Sequence, residues 1–321
     1  MFHPEEVIFA PTGRCNLTCS HCRVSRGPEE LSSASAIAFL DSCADTGIER
    51  IGFSGGEPFL RLDFLVDVTK AALDRGFYFD RLMTNGDWWK TEAELRSALE
   101  AVYGAGFDGV LGLSWDTYHG QQPERITTFL KAVFEVWGRK DAVEILSVRS
   151  PDEGAFLRDI ESVAAALGGK AETLAGEPSR IVDAVFLTRS NADPDDGKGL
   201  IVQVQRFPRS RSAEEGAWEA SKWFVDDFCA GPGNVFYVHP DGQVAPCCGF
   251  ANENQALIIG TIWDSYDTLM ANAAANAQVV ACYETGLGAV RNRLEAEGRK
   301  FPGKTDDICF FCDTLCRRKL L

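Results

Sequence analysis

Over its first two-thirds the chain alternates short β-rich runs with segments of helical spacing, and this alternation limits the possible folds more than any other feature. Runs rich in β-branched and aromatic residues lie at 6–11, 48–53, 78–84, 109–115 and 143–148, and helical spacing fills 32–45, 62–75, 91–104, 125–137 and 153–167. Such alternation calls for parallel strands joined by right-handed helical crossovers. One more strand, at 181–187 or 200–205, brings the count to about six βα units. That is too few for a closed eight-stranded barrel, so an open or partial α/β barrel is expected. Helix signals agree: Ser32 or Ser33 precedes the first helical segment, Thr91 is followed three residues later by Glu94, and Gly47 and Gly76 sit where helices end.

From about Trp218 the rhythm is lost. Residues 236–239 and 243–245 read as a hairpin around Pro240-Asp241-Gly242, two helix-like segments follow, and the tail is rich in cysteine. A boundary near 215 therefore divides a barrel domain, 1–215, from a smaller α+β domain, 216–321. With 47 acidic against 32 basic side chains the net charge is −15, which excludes a dedicated nucleic-acid binder. The first twelve residues carry no basic n-region and no long apolar stretch, and nowhere do 18 apolar residues run together. Neither a signal peptide nor a membrane span is expected, and the expected compartment is the cytoplasm, where clustered cysteines bind metal more often than they pair.

The chain has 11 cysteines. Cys43 stands alone in a helical segment and reads as a buried, inert thiol. Cys15, Cys19 and Cys22 form a CxxxCxxC loop after the first strand; Cys229, Cys247, Cys248, Cys282, Cys309, Cys312 and Cys316 form a second group. A structural zinc site wants four protein ligands, and no fourth lies near the front three. Three thiolates do suffice for a [4Fe–4S] cluster with one iron open to another ligand. Polar motifs then follow the strands in turn: Gly55-Gly56-Glu57-Pro58, Thr84-Asn85-Gly86, Ser114-Trp115-Asp116, and Arg149 at the end of the fifth. Singly, these read equally well as a turn, a loop, a helix cap and a surface ion pair.

In this order, each at a strand C-terminus, the motifs resemble those of the radical S-adenosylmethionine (radical SAM) superfamily over roughly residues 6–205. The resemblance implies a partial (βα)6 barrel with a [4Fe–4S] cluster on Cys15, Cys19 and Cys22. It implies S-adenosylmethionine held at its ammonium by the carbonyls of Gly55, Gly56 and Pro58 and by Glu57. Asn85, Ser114 and Asp116 would face the ribose hydroxyls and the methionine carboxylate, Arg149 a carboxylate, and His21 the adenine. His119 lies near the same face, either against substrate or solvated. The implied chemistry is reductive cleavage of the sulfonium to a 5′-deoxyadenosyl radical that removes a hydrogen atom from substrate. A reductant such as flavodoxin or ferredoxin is implied as partner.

The second group resembles the Twitch or SPASM domains that hold auxiliary clusters, and the GTIWD run at 260–264 fits them. Cys229 and Cys247 flank the hairpin turn and Cys309 and Cys312 make a CxxC pair, four ligands for one auxiliary [4Fe–4S] cluster. Cys316 rivals for the fourth place, Cys282 reads as structural, and a zinc ribbon is the plain alternative. Adjacent strand residues face opposite ways, so Cys248 is expected to point from the cluster toward the barrel mouth. There it is either a buried structural thiol or a hydrogen-atom donor, as in radical SAM peptide epimerases. The leading reading is a maturase acting on a small ribosomally made peptide, by Cα epimerisation from L to D. With motifs starting at residue 15, no N-terminal recognition domain is expected, and the barrel or a separate partner would bind the peptide. A two-electron dehydrogenase, side-chain oxidase or crosslinking enzyme using the auxiliary cluster as electron acceptor is a second reading. A non-catalytic iron–sulfur scaffold is a third, opposed by the intact GGEP loop.

Overall fold

The computed structural model describes residues 1–139, 141–148, 153–172, 182–188, 200–207, 216–225, 228–229 and 233–321. The alternating segments form the expected elements. Strands β1 (Glu6–Phe9), β2 (Arg50–Phe53), β3 (Tyr78–Thr84), β4 (Val110–Ser114) and β5 (Val143–Val148) are joined by helices α1 (Ser33–Cys43), α2 (Leu62–Asp74), α3 (Glu92–Gly104) and α4 (Pro123–Trp137). Every neighbouring pair from β1 to β5 is parallel. The chain leaves β5 through α5 (Glu153–Ala166) and two strands, β6 (Gly169–Glu172) and β7 (Val182–Thr188), before β8 (Leu200–Phe207). Of the two candidates for the sixth parallel strand, β8 is the one that pairs with β5; β6 and β7 continue the sheet antiparallel beyond it.

Local chemistry sets the element ends. Ser32 caps α1 by accepting from Ser35 N–H, and Thr91 caps α3 by accepting from Glu94 N–H at 3.2 Å. The Glu94 carboxylate reaches back to Lys90 N–H at 2.8 Å, one residue beyond the usual capping-box donor. Phe9, Phe53, Phe64 and Phe107, all fully buried, fill the layer between sheet and helices; the Phe9 ring packs edge-on against Phe39 of α1 and Phe64 of α2.

The hairpin read from Pro240-Asp241-Gly242 forms between β9 (Gly233–Val238) and β10 (Gln243–Cys247). Its partner was not legible: β9 pairs in parallel with β1, from Glu6↔Val235 to Phe9↔Val238. A short β11 (Gly260–Thr261) adds to β10. Among the described residues the result is one eleven-stranded sheet, ordered β11-β10-β9-β1-β2-β3-β4-β5-β8-β7-β6, so both parts of the chain share a sheet. Helices α6 (Tyr266–Ala275), α7 (Ala277–Val280), α8 (Leu287–Ala296) and α9 (Ile308–Arg318) complete the C-terminal part, with a π-helical turn at Ala281–Thr285. Among the described residues no helix is long and apolar enough to cross a membrane.

Candidate active site

The loop after β1 carries Cys15, Cys19 and Cys22. Burial pushes the Cys19 thiol up to about 11, and the charges of Cys15 and Cys22 add to the rise. A thiol whose ionisation its two neighbouring cysteines oppose belongs to a ligand set that a cationic centre would relieve. Leu17 N–H and the Asn85 amide both point at Cys15 Sγ, at 3.5 and 3.7 Å, and Asn85 Nδ2 donates to Asn16 Oδ1 at 2.8 Å. Asn85, at the end of β3, thus holds the cysteine loop in place.

The GGEP loop lies directly against it. A Cβ on Gly56 would sit 2.1 Å from the Arg14 carbonyl oxygen, and Gly55 has φ +112°, so neither position admits a side chain. Gly56 N–H donates to Thr12 O and Glu57 N–H to Arg14 O, stitching the two loops together. The Glu57 side chain departs from expectation. Its carboxyl is fully buried and accepts from Phe59 N–H (3.2 Å), Thr84 Oγ1–H (2.9 Å) and Asn85 N–H (2.8 Å). Burial lifts it to about 7, against the pull of those three bonds. Glu57 therefore clamps the end of β3 to the loop, and what the loop turns outward is backbone.

Asp116 is spent in a similar way. It accepts from Tyr118 N–H (2.9 Å), His119 N–H (3.2 Å) and Val148 N–H (3.1 Å), and contacts His119 Nδ1 at 2.8 Å. Burial works to raise this carboxyl, but the hydrogen bond and charge of His119, with help from His21 and Val148 N–H, hold it below the usual range. His21 packs on Tyr118 and His119, each 4.8 Å away between ring centroids, and His21, Asp116 and His119 bring one ligand atom each within 4.8 Å of the others. The Ser114 carbonyl accepts from the Gln121 amide at 2.8 Å. Gln121, which the sequence did not single out, also donates to Asn85 O at 2.6 Å and so ties the ends of β3 and β4. Its only signal was a polar residue shortly after Ser114-Trp115-Asp116. Arg149 lies outside the described residues.

The second cysteine group converges on one pocket, lined among others by Cys229, Cys247, Cys309 and Cys312. Cys282, read as structural, lines it too: its Sγ is 3.6 Å from Cys312 Sγ, and its carbonyl accepts from Cys229 N–H. Burial, then the neighbouring thiols, drives Cys247 well above the ordinary thiol value, whereas Cys312 is held low by hydrogen bonds from Cys282, Cys316 and then Gln278. The donor set is soft and sulfur-rich, as an iron–sulfur or zinc centre requires.

Cys247 and Cys248 do diverge. Cys247 belongs to the thiol pocket, while Cys248 packs with Ile8, Val235, Tyr237 and Ala245 on the face of the sheet turned away from the helices. The placement at the mouth is corrected by the register. Because β10 runs antiparallel, Cys247 opposes Gly233, two residues before the Glu6↔Val235 pair, so Cys248 stands at the end of the barrel opposite the front cysteine loop.

Residues 9–127 match the family model of the Radical SAM superfamily. A probable GTP 3′,8-cyclase of Methanothermobacter marburgensis is 30% identical over 155 residues, 47% of this chain and 44% of that protein. A PqqA peptide cyclase of Gluconobacter oxydans is 34% identical over 106 residues, 31% of this chain and 29% of that protein. The chain thus spans less than half the length of the curated relatives it matches. In fold it resembles Streptococcus suis SuiB, with a TM-score of 0.55 at 15% identity, covering 96% of this chain and 77% of that one.

Proposed function

We propose that the protein is a radical SAM enzyme that modifies a peptide, with a second iron–sulfur centre in its C-terminal part. The observation that carries the proposal is the stitching of the three-cysteine loop to the GGEP loop at the C-terminal ends of parallel strands. A [4Fe–4S] cluster with S-adenosylmethionine bound there supplies a 5′-deoxyadenosyl radical. Around it, Asn85 fixes the cysteine loop, Glu57 fixes the GGEP loop, and Gln121 with Asp116 fixes the ends of β3, β4 and β5. Gly55, Gly56 and Pro58 present backbone to the methionine end, and His21, Ser114 and Asp116 flank the remainder. In this reading residues 1–215 generate the radical and 216–321 hold the auxiliary centre on Cys229, Cys247, Cys309 and Cys312.

The peptide assignment is supported by the similarity to a PqqA peptide cyclase, and the epimerase assignment by Cys248. That thiol shares the inner face with β1 and β9 and does not line the thiol pocket, and in this reading it returns a hydrogen atom to a substrate that reaches down the barrel from the front loop. If the reading holds, reduced enzyme acting on its peptide in D2O yields product with a single solvent deuterium at the inverted Cα. Cys248→Ala should keep S-adenosylmethionine cleavage and lose that deuterium. Retained deuterium incorporation in the variant overturns the donor role. The second reading, oxidation or crosslinking with the auxiliary centre as electron acceptor, is favoured instead by a product two hydrogens lighter.

A further inference from the structure

The inner face of β1 and β9 carries groups that the radical-generating site does not use. Register and alternation put Glu6, Ile8 and Ala10 of the first strand and its exit beside Val235, Tyr237 and His239, with Cys248 against the same apolar strip. Ring contact between Tyr237 and His239, 4.9 Å between centroids, confirms their common face. At one end of the strip Glu6 is 7% exposed, and its carboxyl makes no hydrogen bond with any described residue. Its Oε1 lies across Gly52 of β2, where a Cβ would come within 2.5 Å, so the glycine is what gives the carboxyl its space.

The cations nearest Glu6 pair with other carboxylates, yet both still pull its carboxyl down through space, and Arg81 Nε is left without a hydrogen-bond partner. Arg81 pairs with Glu144 at 2.7 Å, and Arg50 with Glu5 at 3.1 Å; Asp80 adds a further negative charge nearby. At the other end His239 is also 7% exposed, and its Nε2 has no hydrogen-bond partner. Four residues separate the two levels, roughly 13 Å at about 3.3 Å per strand residue. A carboxyl largely withdrawn from water, with no hydrogen bond and only through-space help from Arg50 and Arg81, costs free energy that a ligand cation in direct contact would recover.

We propose that Glu6 is a substrate subsite that accepts a cationic group, an ammonium or guanidinium, at the inner end of the barrel beside Cys248. For a peptide this rests on the peptide-modifying reading above; the donor chemistry itself does not. The strip between Glu6 and His239, itself already buried, then forms an apolar wall beside the subsite, and the bare imidazole nitrogen takes a second donor.

The test uses the reconstituted, S-adenosylmethionine-loaded holoenzyme and its Glu6→Gln variant. Calorimetry compares pentapeptides that differ only by Lys, Arg, norleucine or Glu at one position, scanned along the peptide, together with 1,5-diaminopentane. The expected result is binding about tenfold tighter for Lys or Arg than for norleucine at one position. Glu6→Gln should erase that preference while iron content and S-adenosylmethionine binding stay unchanged. Equal binding of charged and neutral peptides, or a preference that survives in the variant, overturns the proposal. If no pentapeptide binds but the diamine binds wild type and not Glu6→Gln, the subsite stands and the peptide reading falls. If neither class binds, the subsite falls.

Discussion

At the scale of single residues, the carboxylates separate by what they touch. Glu57 and Asp116 are saturated with hydrogen bonds from the loops they organise, whereas Glu6 is buried without any. Burial raises Glu6 from 4.5 to about 7, with Asp80 adding to the rise and Arg50 and Arg81 opposing it. A carboxyl raised on folding contributes its full share below the unfolded value and loses it as pH climbs through the folded one. Unfolding free energies should therefore show wild type losing about 3 kcal/mol relative to Glu6→Gln between pH 4.5 and pH 8. A difference that does not change with pH contradicts the burial account. β10 ends at Cys247 and its register shifts between Ala245 and Cys247, so plain strand alternation does not account for the parting of Cys247 from Cys248; only the adjacency of the two thiols was readable in the sequence. Which end of the barrel Cys248 occupies was not, because it depends on the direction of β10 and its register on β9. Nor did the sequence reveal that Glu57 is a clamp, since a carboxylate in a loop looks the same whether it faces a ligand or a neighbouring strand.

At the scale of elements, the alternation of β-rich and helical runs and the turn chemistry of Pro240-Asp241-Gly242 located most strands to within a few residues. The parallel pairing of β9 with β1 carries no local signal, since β1 and β9 lie more than two hundred residues apart in sequence. Sequence patterns report which residues are buried and not which distant strand covers them. That pairing has a consequence for the boundary near 215. A chain ending there leaves β1 as an open edge and removes Phe236, which is fully buried and packs on Phe2 and Phe39. Open edges template association. Residues 1–215 expressed alone should aggregate or show no cooperative thermal transition by circular dichroism; a soluble, cooperatively folding fragment contradicts a sheet shared across the boundary.

At the scale of the whole molecule, the shared sheet sets two thiol clusters at opposite ends of one barrel, with the inner strip of β1 and β9 between them. The front loop follows the C-terminal end of β1; the pocket of Cys229, Cys247, Cys282, Cys309 and Cys312 lies toward its beginning. Anaerobic reconstitution should load about eight irons per chain, falling to about four when Cys309 and Cys312 are both replaced by alanine. Four irons in wild type would remove the auxiliary centre. The central claim is the radical-generating site itself. Reduced, reconstituted enzyme incubated with S-adenosylmethionine should release 5′-deoxyadenosine and methionine in equal amounts, and Cys19→Ala should release neither. Wild-type enzyme with its front cluster loaded that yields no 5′-deoxyadenosine would contradict the account.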